Sequence, residues 1–345
     1  MKSQAEKVLP PKFLNQLERI LAAHNLYRSG REKARCSVAT KHDRGNIIKL
    51  AFAQLWQMGY QLDTPRGLGG RHVQALMKRW DEEGIAVITM HNRLSSLRTF
   101  AGWIGKQGMV LDIGEYLPNR DLRRTTVAKR NRAWLPNGVD PQDIIARARD
   151  LNERLALILS LQDAFGLRVK EAIEMRPAFC LVESGKAIEI YEGTKGGRLR
   201  RIDIDTDRKC QVFEWARQVA AANRNGRVRW PEYTWRQAQR RYYHLLSKLG
   251  VTRCDLGVTS HGLRHGYSQE KYEDLTGLPP PISGVDPKLV DPDVHRDAGI
   301  QVSRDLGHGR LQVTASYYGS HGHALRKGKG KQEAHPINSG QGEAK

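Results

Sequence analysis

The chain has 345 residues, with 57 Lys and Arg against 37 Asp and Glu, so its formal charge is +20. This length suggests two or three domains, and the 39% hydrophobic share excludes a globally disordered chain. No apolar run reaches the roughly 18 residues of a membrane span, and the N-terminus lacks the apolar core of a secretory signal. We therefore expect a cytoplasmic protein without a membrane partner.

The excess of basic residues gives the first indication of function. A sequence pI near 10 on a folded chain favours a polyanionic partner, most often nucleic acid, although a solvated basic surface would look the same. The four cysteines lie far apart and form no CxxC pair. This spacing disfavours a zinc module or a disulfide scaffold and fits a reducing compartment.

Apolar residues at helical spacing dominate the first third of the chain. Residues 1–36 are basic and weakly patterned, with one short amphipathic helix predicted after Pro10 and Pro11. The i, i+3, i+4, i+7 pattern then predicts helices around 43–58, 71–82 and 90–105, the last with Thr89 as N-cap. Residues 37–115 are therefore predicted to form a small helical domain.

A strongly basic segment separates this domain from the next one. We interpret residues 116–134 as an interdomain linker that follows a phosphate backbone, with an ordinary solvated loop as the alternative. The candidate DNA contacts in it are Arg120, Arg123, Arg124, Lys129, Arg130 and Arg132.

The second domain is predicted over 135–325, with a flexible, Gly-rich polar tail over 326–345. Helical patterns cover 141–165 and 234–249, and short strands are predicted at 179–183, 187–191 and 199–204. Thr234 and Gln237 resemble a capping box, and Arg236 and Arg240 on the polar helix face are further candidate DNA contacts. Helices, then a small antiparallel sheet, then helices predict a mainly α, α+β fold.

Four short segments of the second domain carry residues suited to phosphoryl chemistry. They are GLRVKE at 166–171, TKGG at 194–197, HGLRH at 261–265, and LGHG at 306–309 followed by TASYY at 314–318. Each segment alone is a weak signal, because short motifs often match by chance. Their ordered combination is far more specific.

In this combination the sequence resembles the tyrosine recombinase, or phage integrase, family. That family places an arginine in GLRxxE, a lysine in a hairpin, an HxLRH segment, an LGH segment and a tyrosine within TxxY. Tyr317 lies nine residues after His308, and Thr314 lies three before Tyr317. The resemblance implies a helical SAM-like core-binding domain and a catalytic domain. Its catalytic residues map onto Arg168, Lys195, His261, Arg264, His308 and Tyr317, with Glu171 and His265 in support.

The resemblance also implies a mechanism that uses no metal, ATP or other cofactor. Two arginines would bind the phosphate, and Tyr317 would attack the phosphorus to give a 3′-phosphotyrosyl link. His261 would handle the tyrosine proton, and His308 would donate a hydrogen bond to the scissile phosphate. Lys195 would protonate the leaving 5′-oxygen.

The implied partners are double-stranded DNA at attachment or core sites, a homotetramer in the synaptic complex, and DNA-bending or directionality proteins as accessory factors. A nucleoid-associated integrase of a mobile element is the leading hypothesis. A chromosome or plasmid resolvase, a type IB topoisomerase-like enzyme and a catalytically degenerate DNA-binding protein remain alternatives, and an RNA-binding protein has only the charge in its favour.

Three features depart from the family pattern. Arg264 and His308 are 44 positions apart, more than the family's usual spacing, which predicts an insertion at about 270–300 that forms a surface loop. Tyr318 directly follows Tyr317, so the nucleophile could be displaced by one residue. The sequence after the tyrosines lacks a clear apolar helix pattern.

Overall fold

The computed structural model describes residues 7–28, 31–122, 127–194, 197–308 and 311–320. The chain divides into two compact units, 1–125 and 126–345, and the division falls inside the predicted linker. Within the described residues, no helix is both long and apolar enough to cross a membrane.

The first unit is a helical bundle with a short hairpin near its N-terminus. The apolar stripes of its helices meet in one core that includes Leu17, Ile48, Leu76 and Leu97, each at most 2% exposed. Because α1 contributes Leu17 to this core, part of the predicted N-terminal segment packs with the helical domain. The elements are α1 Pro11–His24, β1 Tyr27–Arg28, β2 Arg31–Arg35, α2 Val38–Gln57, α3 Gly70–Glu82, α4 Val87–Trp103 and α5 Ile113–Tyr116.

The helix starts in this unit differ from those predicted. Helix α2 begins at Val38, where the Ser37 hydroxyl accepts a hydrogen bond from the Thr40 amide at 3.1 Å. Helix α4 begins at Val87, so Thr89 lies inside its first turn and the prediction of Thr89 as N-cap was wrong. Apolar periodicity detects the buried middle of a helix, whereas the first turns of α2 and α4 are largely exposed or half-buried and their apolar residues do not continue the buried stripe.

The second unit places a three-stranded antiparallel sheet beside a group of helices, as the predicted α+β fold requires. The strand order is β3-β4-β5, and Ile188 of β4 pairs with Ile202 of β5. Helix α7 is buried over nearly its whole length and forms the centre of the core. The elements are α6 Pro141–Leu151, α7 Glu153–Phe165, α8 Val169–Glu174, β3 Leu181–Val182, β4 Ala187–Ile190, β5 Arg200–Asp203, α9 Asp207–Ala221, α10 Trp235–Lys248, α11 His261–Thr276, α12 Pro292–Asp305 and α13 Leu311–Tyr318.

The predicted capping box at the start of α10 is confirmed. The Gln237 side-chain oxygen accepts from the Thr234 amide at 2.9 Å, and the Thr234 hydroxyl accepts from the Gln237 amide at 3.5 Å. This cap fixes where α10 begins. Arg236 and Arg240 lie exposed on the polar face of this helix.

The insertion is more ordered than the predicted surface loop over 270–300. Helix α11 continues to Thr276, and α12 begins at Pro292, so only 277–291 lies outside the α-helices, and it contains two short 3-10 turns, Pro281–Ser283 and Pro287–Leu289. Proline at the first position favours a helix start, and the Asp291 carboxylate caps it by accepting from the Asp293 amide at 2.8 Å. Gly319 shows that this loop packs against the end of α13, because a Cβ there would lie 2.8 Å from the Ile282 nitrogen. The predicted flexible tail at 326–345 lies outside the described residues.

Candidate active site

The fold brings three of the four motif segments together in the second unit. The N-terminus of α8 supplies Arg168 and Glu171, and α11 supplies Arg264 and two histidines. The turn after α12 and helix α13 add His308 and Tyr317. The remaining segment, TKGG at 194–197, contains Lys195, which lies outside the described residues.

Two glycines of the motifs are required by close packing as well as by backbone geometry. Gly166 ends α7 with φ +57°, and a Cβ there would lie 2.4 Å from the Tyr267 ring. Gly307 of the LGH segment has φ +63°, and its Cβ would lie 2.4 Å from the side chain of Arg200. A side chain at either position would therefore displace the backbone that holds the site.

The carboxylate of Glu171 lies at the centre of the site and is fully buried. It accepts hydrogen bonds from the Arg168 amide at 2.8 Å, from the Arg168 guanidinium at 2.5 Å and from the Arg200 guanidinium. An Arg264 nitrogen lies 3.9 Å away. Burial alone would raise the pKa of Glu171, but the charges of Arg200, Arg168 and Arg264 outweigh it and hold that pKa below the ordinary value.

Arg200 belongs to this cluster although no motif indicated it. Its side chain is 1% exposed, and its Nε donates to the Asp305 carbonyl at 2.7 Å. The sequence signal that could have indicated Arg200 is the period-two alternation of β5. Arg200 and Ile202 face inward, whereas Arg201 and Asp203 face outward. An arginine on the buried face of a strand requires a buried carboxylate, and Glu171 provides it.

Arg264 is held by backbone carbonyls on both sides. Its terminal nitrogens donate to the carbonyls of Gly166 and Leu306, each at 2.5 Å, and the side chain is 1% exposed. Its Nε lies 3.4 Å from the Tyr317 hydroxyl oxygen. The guanidinium is therefore fixed before any ligand arrives, with one edge directed at the tyrosine.

The cluster carries more positive than negative charge. Among its described residues, the guanidinium groups of Arg168, Arg200 and Arg264 share the carboxylate of Glu171, and the carboxylate of Asp305 also attracts Arg200, which leaves an excess of 3 − 2 = 1 positive charge. Burial, with the neighbouring Arg200 charge, lowers the pKa of Arg264 to about 9. Buried charge without a partner is costly, so the site is suited to an anion that completes the balance.

Tyr317 is 7% exposed and is surrounded by three imidazole rings. Their centroids lie 4.7 Å (His265), 5.2 Å (His308) and 5.6 Å (His261) from the centroid of its ring. Its carbonyl accepts from His265 Nδ1 at 3.3 Å and from Gln269 Nε2 at 3.1 Å. The tyrosine is thus held through both its ring and its backbone.

All three imidazoles are held in the neutral form at pH 7. Burial is the main cause and lowers the pKa of His261 and His265 to about 4 and that of His308 to about 3. The Arg264 charge adds to this effect at His261 and at His308, although His261 is more exposed than the other two. A neutral imidazole can accept a proton, and a bound anion would raise its pKa by offsetting the arginine charge.

This pattern predicts acid-sensitive stability for the second unit. The pKa of His265 is about 4 in the folded chain and about 6.5 when unfolded. Between these values the unfolded chain binds more protons, so the free energy of unfolding falls as the pH drops below about 6.5 and is fully restored above it. For this buried ring the loss from pH 7 to pH 5 is about 2 kcal/mol.

Chemical denaturation at both pH values measures this effect. The variant His265→Gln, which keeps a donor for the Tyr317 carbonyl, should lose less stability on acidification than the unmodified chain. The control His244→Gln changes an exposed ring and should behave like the unmodified chain. If His265→Gln lost as much stability on acidification as the unmodified chain, the lowered pKa of His265 would not be the cause of the acid sensitivity.

Tyr318 lies in a different environment from Tyr317. Its ring stacks on Tyr272, with centroids 4.9 Å apart and an interplanar angle of 27°, and it also contacts His295. Burial raises the pKa of the Tyr318 hydroxyl. The second tyrosine is thus part of the core that joins α11, α12 and α13.

The predicted DNA contacts separate into three groups. Arg120 pairs with Asp81 and donates to the Ile85 carbonyl at 3.3 Å, so it is already engaged within the first unit. Arg123 and Arg124 lie outside the described residues. The exposed ones are Lys129, Arg130, Arg132, Arg236 and Arg240.

Comparison with protein families gives two matches. A model described as "Integrase" matches residues 127–270, and one described as "Phage integrase, N-terminal" matches residues 22–110. Tyrosine recombinase XerC of Yersinia pestis is 23% identical over 244 residues, which cover 66% of this chain and 74% of the relative.

Solved structures show the same fold at low sequence identity. A fragment of lambda integrase, crystallised as a dimer bound to a COC′ core site, has a TM-score of 0.54 and 16% identity, covering 89% of this chain and 94% of its own. The XerH site-specific recombinase bound to palindromic difH substrate has a TM-score of 0.56 and 16% identity, covering 96% and 100%.

The predicted fold class is confirmed by the mainly helical architecture, the small antiparallel sheet and these neighbours. One family model matches within the first unit and the other within the second. The chain belongs to the tyrosine recombinase, or phage integrase, family of site-specific recombinases.

Proposed function

We propose that this protein is the integrase of a mobile element, which cleaves and rejoins DNA through a 3′-phosphotyrosyl intermediate. The observation that carries the proposal is the Tyr317 hydroxyl, 3.4 Å from the buried Arg264 Nε in a cluster with excess positive charge. A phosphodiester supplies the missing negative charge, and the adjacent hydroxyl is a nucleophile for its phosphorus.

The arginines bind and activate the scissile phosphate. Arg168 and Arg264 each present a planar fork of donors, and Arg264, with a pKa of about 9, stays charged at neutral pH. Attack on phosphorus builds negative charge on the non-bridging oxygens. Donors that are already fixed, as Arg264 is by Gly166 and Leu306, stabilise that charge without reorganising.

The transfer step exchanges one phosphate ester for another. The Tyr317 oxygen forms a bond to phosphorus as its proton passes to the neutral His261 ring, and the bond from phosphorus to the 5′-oxygen breaks. Lys195 supplies the proton that the leaving 5′-oxygen takes up. Attack by the 5′-hydroxyl of the exchanged strand reverses the sequence and releases Tyr317, so the bond energy is conserved and neither ATP nor a metal is consumed.

Strand exchange requires several copies of the chain on two duplexes. We propose a homotetramer on double-stranded DNA core sites, with DNA-bending or directionality proteins as accessory factors. Lambda integrase, one of the structural neighbours, has been crystallised as a tetramer bound to a Holliday junction. The exposed Lys129, Arg130, Arg132, Arg236 and Arg240 are the proposed phosphate contacts, which would give affinity without reading sequence.

Covalent trapping tests the proposed function. Nicked duplex fragments from DNA flanking the gene for this protein are mixed with it, denatured, and examined for a protein–DNA adduct. We expect an adduct on the 3′-phosphate end of one cleaved strand, with a free 5′-hydroxyl on the other end, and recombinant products when two such sites are supplied. Relaxation of supercoils without recombinants would indicate the topoisomerase-like alternative, and sequence-specific binding without an adduct would indicate a DNA-binding protein.

A further inference from the structure

The carbonyl of Tyr317 lies at the end of a helix and needs partners from outside it. Helix α13 ends at Tyr318. The last four carbonyls of a helix receive no hydrogen bond from an amide of the same helix. The Tyr317 carbonyl is instead satisfied by two side chains of α11, His265 and Gln269. Both donors are buried, so the position of the tyrosine backbone depends on where these side chains are held.

Gln269 is in turn held by the first residues of the second unit. Its Nε2 donates to the Asn131 side-chain oxygen at 2.9 Å as well as to the Tyr317 carbonyl, and its side-chain oxygen accepts from Asn131 Nδ2 at 3.1 Å. Paired amides of this kind leave Gln269 a single orientation. The Ala128 amide adds a second link by donating to the Ala315 carbonyl at 3.0 Å.

The segment that contains Asn131 exposes its basic side chains to solvent on the side away from Gln269. Lys129, Arg130 and Arg132 are exposed, whereas Asn131 is half-buried and bonded to Gln269. A phosphate backbone that binds the three cations would fix this segment, and through it the amide pair. Asn137 supports the turn from inside by donating to the Asn131 carbonyl at 3.2 Å.

We propose that Asn131 and Gln269 are positioning residues that connect DNA contact by residues 129–132 to the placement of Tyr317. This inference rests on the proposed function of Tyr317 as nucleophile. Neither amide touches the phosphate. The pair lowers the barrier to cleavage by holding the tyrosine backbone, so its loss slows the chemical step at saturating protein and leaves DNA affinity unchanged.

The test uses full-length Gln269→Leu and Asn131→Ala on a nicked fragment that forms the Tyr317 adduct with the unmodified protein. Gln269→Leu keeps the side-chain volume but removes all three hydrogen bonds of the Gln269 amide, and Asn131→Ala removes its partner from a half-buried position. We expect each to reduce the single-turnover rate of adduct formation roughly tenfold or more, with the dissociation constant for the fragment within about twofold. The double variant should be no slower than the slower single variant, because both act through one link. Gln211→Leu, on the exposed face of α9, is the matched control and should cleave at the normal rate.

The outcomes separate this inference from the proposed function. Sequence-specific binding without any adduct in the unmodified protein overturns the proposed function and this inference with it, and an adduct that persists in Tyr317→Phe overturns the assignment of Tyr317 as nucleophile, on which this inference rests. A Tyr317-dependent adduct that forms at the normal rate in both amide variants overturns the inference alone. Weaker DNA binding together with a lower thermal unfolding midpoint would assign the pair a structural role and would also overturn the inference. If Gln269→Leu does not fold, the cleavage rate of Asn131→Ala decides between these outcomes.

Discussion

Tyr317→Phe should abolish the covalent protein–DNA adduct, whereas Tyr318→Phe should retain it. The two variants remove the same atom from adjacent residues, but the Tyr317 hydroxyl lies 3.4 Å from Arg264 Nε while the Tyr318 ring stacks on Tyr272. Losing the nucleophile should reduce the rate of adduct formation by roughly a thousandfold or more. Denaturing gel electrophoresis of the trapped complex measures this directly.

The pair of variants serves as its own control. Tyr318→Phe keeps the stacked ring, so we expect normal folding and an adduct yield within about twofold of the unmodified chain. Both variants should bind the DNA fragment as the unmodified protein does. An adduct lost only in Tyr318→Phe would move the nucleophile by one residue and contradict the assignment of Tyr317.

Arg264→Lys should lose most of the cleavage activity although the positive charge is kept. The guanidinium bridges the carbonyls of Gly166 and Leu306 and still directs Nε at Tyr317, a geometry that needs three nitrogens in one plane. A lysine ammonium is a single point and cannot occupy all three positions. We expect the single-turnover cleavage rate to fall by roughly a hundred- to a thousandfold, measured at saturating protein.

A lysine at an exposed arginine provides the comparison. Arg236→Lys on α10 keeps the charge where we propose a simple phosphate contact, so the cleavage rate should remain within about threefold. If Arg264→Lys cleaved as well as Arg236→Lys, charge alone would account for the role of Arg264. Circular dichroism of both variants verifies that the second unit remains folded.

Much of the site could be predicted because motif residues are tied to helix ends and turns. Arg168 and Glu171 are three apart, and in the structure this spacing lets the Glu171 carboxylate cap the first turn of α8 while bonding the Arg168 side chain. His261 and Arg264 share one face of α11 for the same reason of helical spacing. The order of the four segments along the chain then indicated that they form one site.

The contacts that depend on long-range packing could not be predicted in this way. Arg200 reaches Glu171 across 29 positions, and Asn131 reaches Gln269 across 138. Neither pair has a local pattern, because the separation is set by how β5 and the first residues of the second unit pack. The extent of the insertion was also missed, since its prolines mark a helix start at Pro292 as well as a loop.

The shared carboxylate of Glu171 implies a trade-off between durability and activity. Three arginines around Glu171 cost free energy in the DNA-free protein, and the substrate offsets that cost when it binds. Selection for heat resistance alone would favour a further acid or fewer arginines here. We expect such a chain to unfold at a higher temperature and to cleave DNA more slowly, because an added acid would compete with the phosphate for the same guanidinium groups.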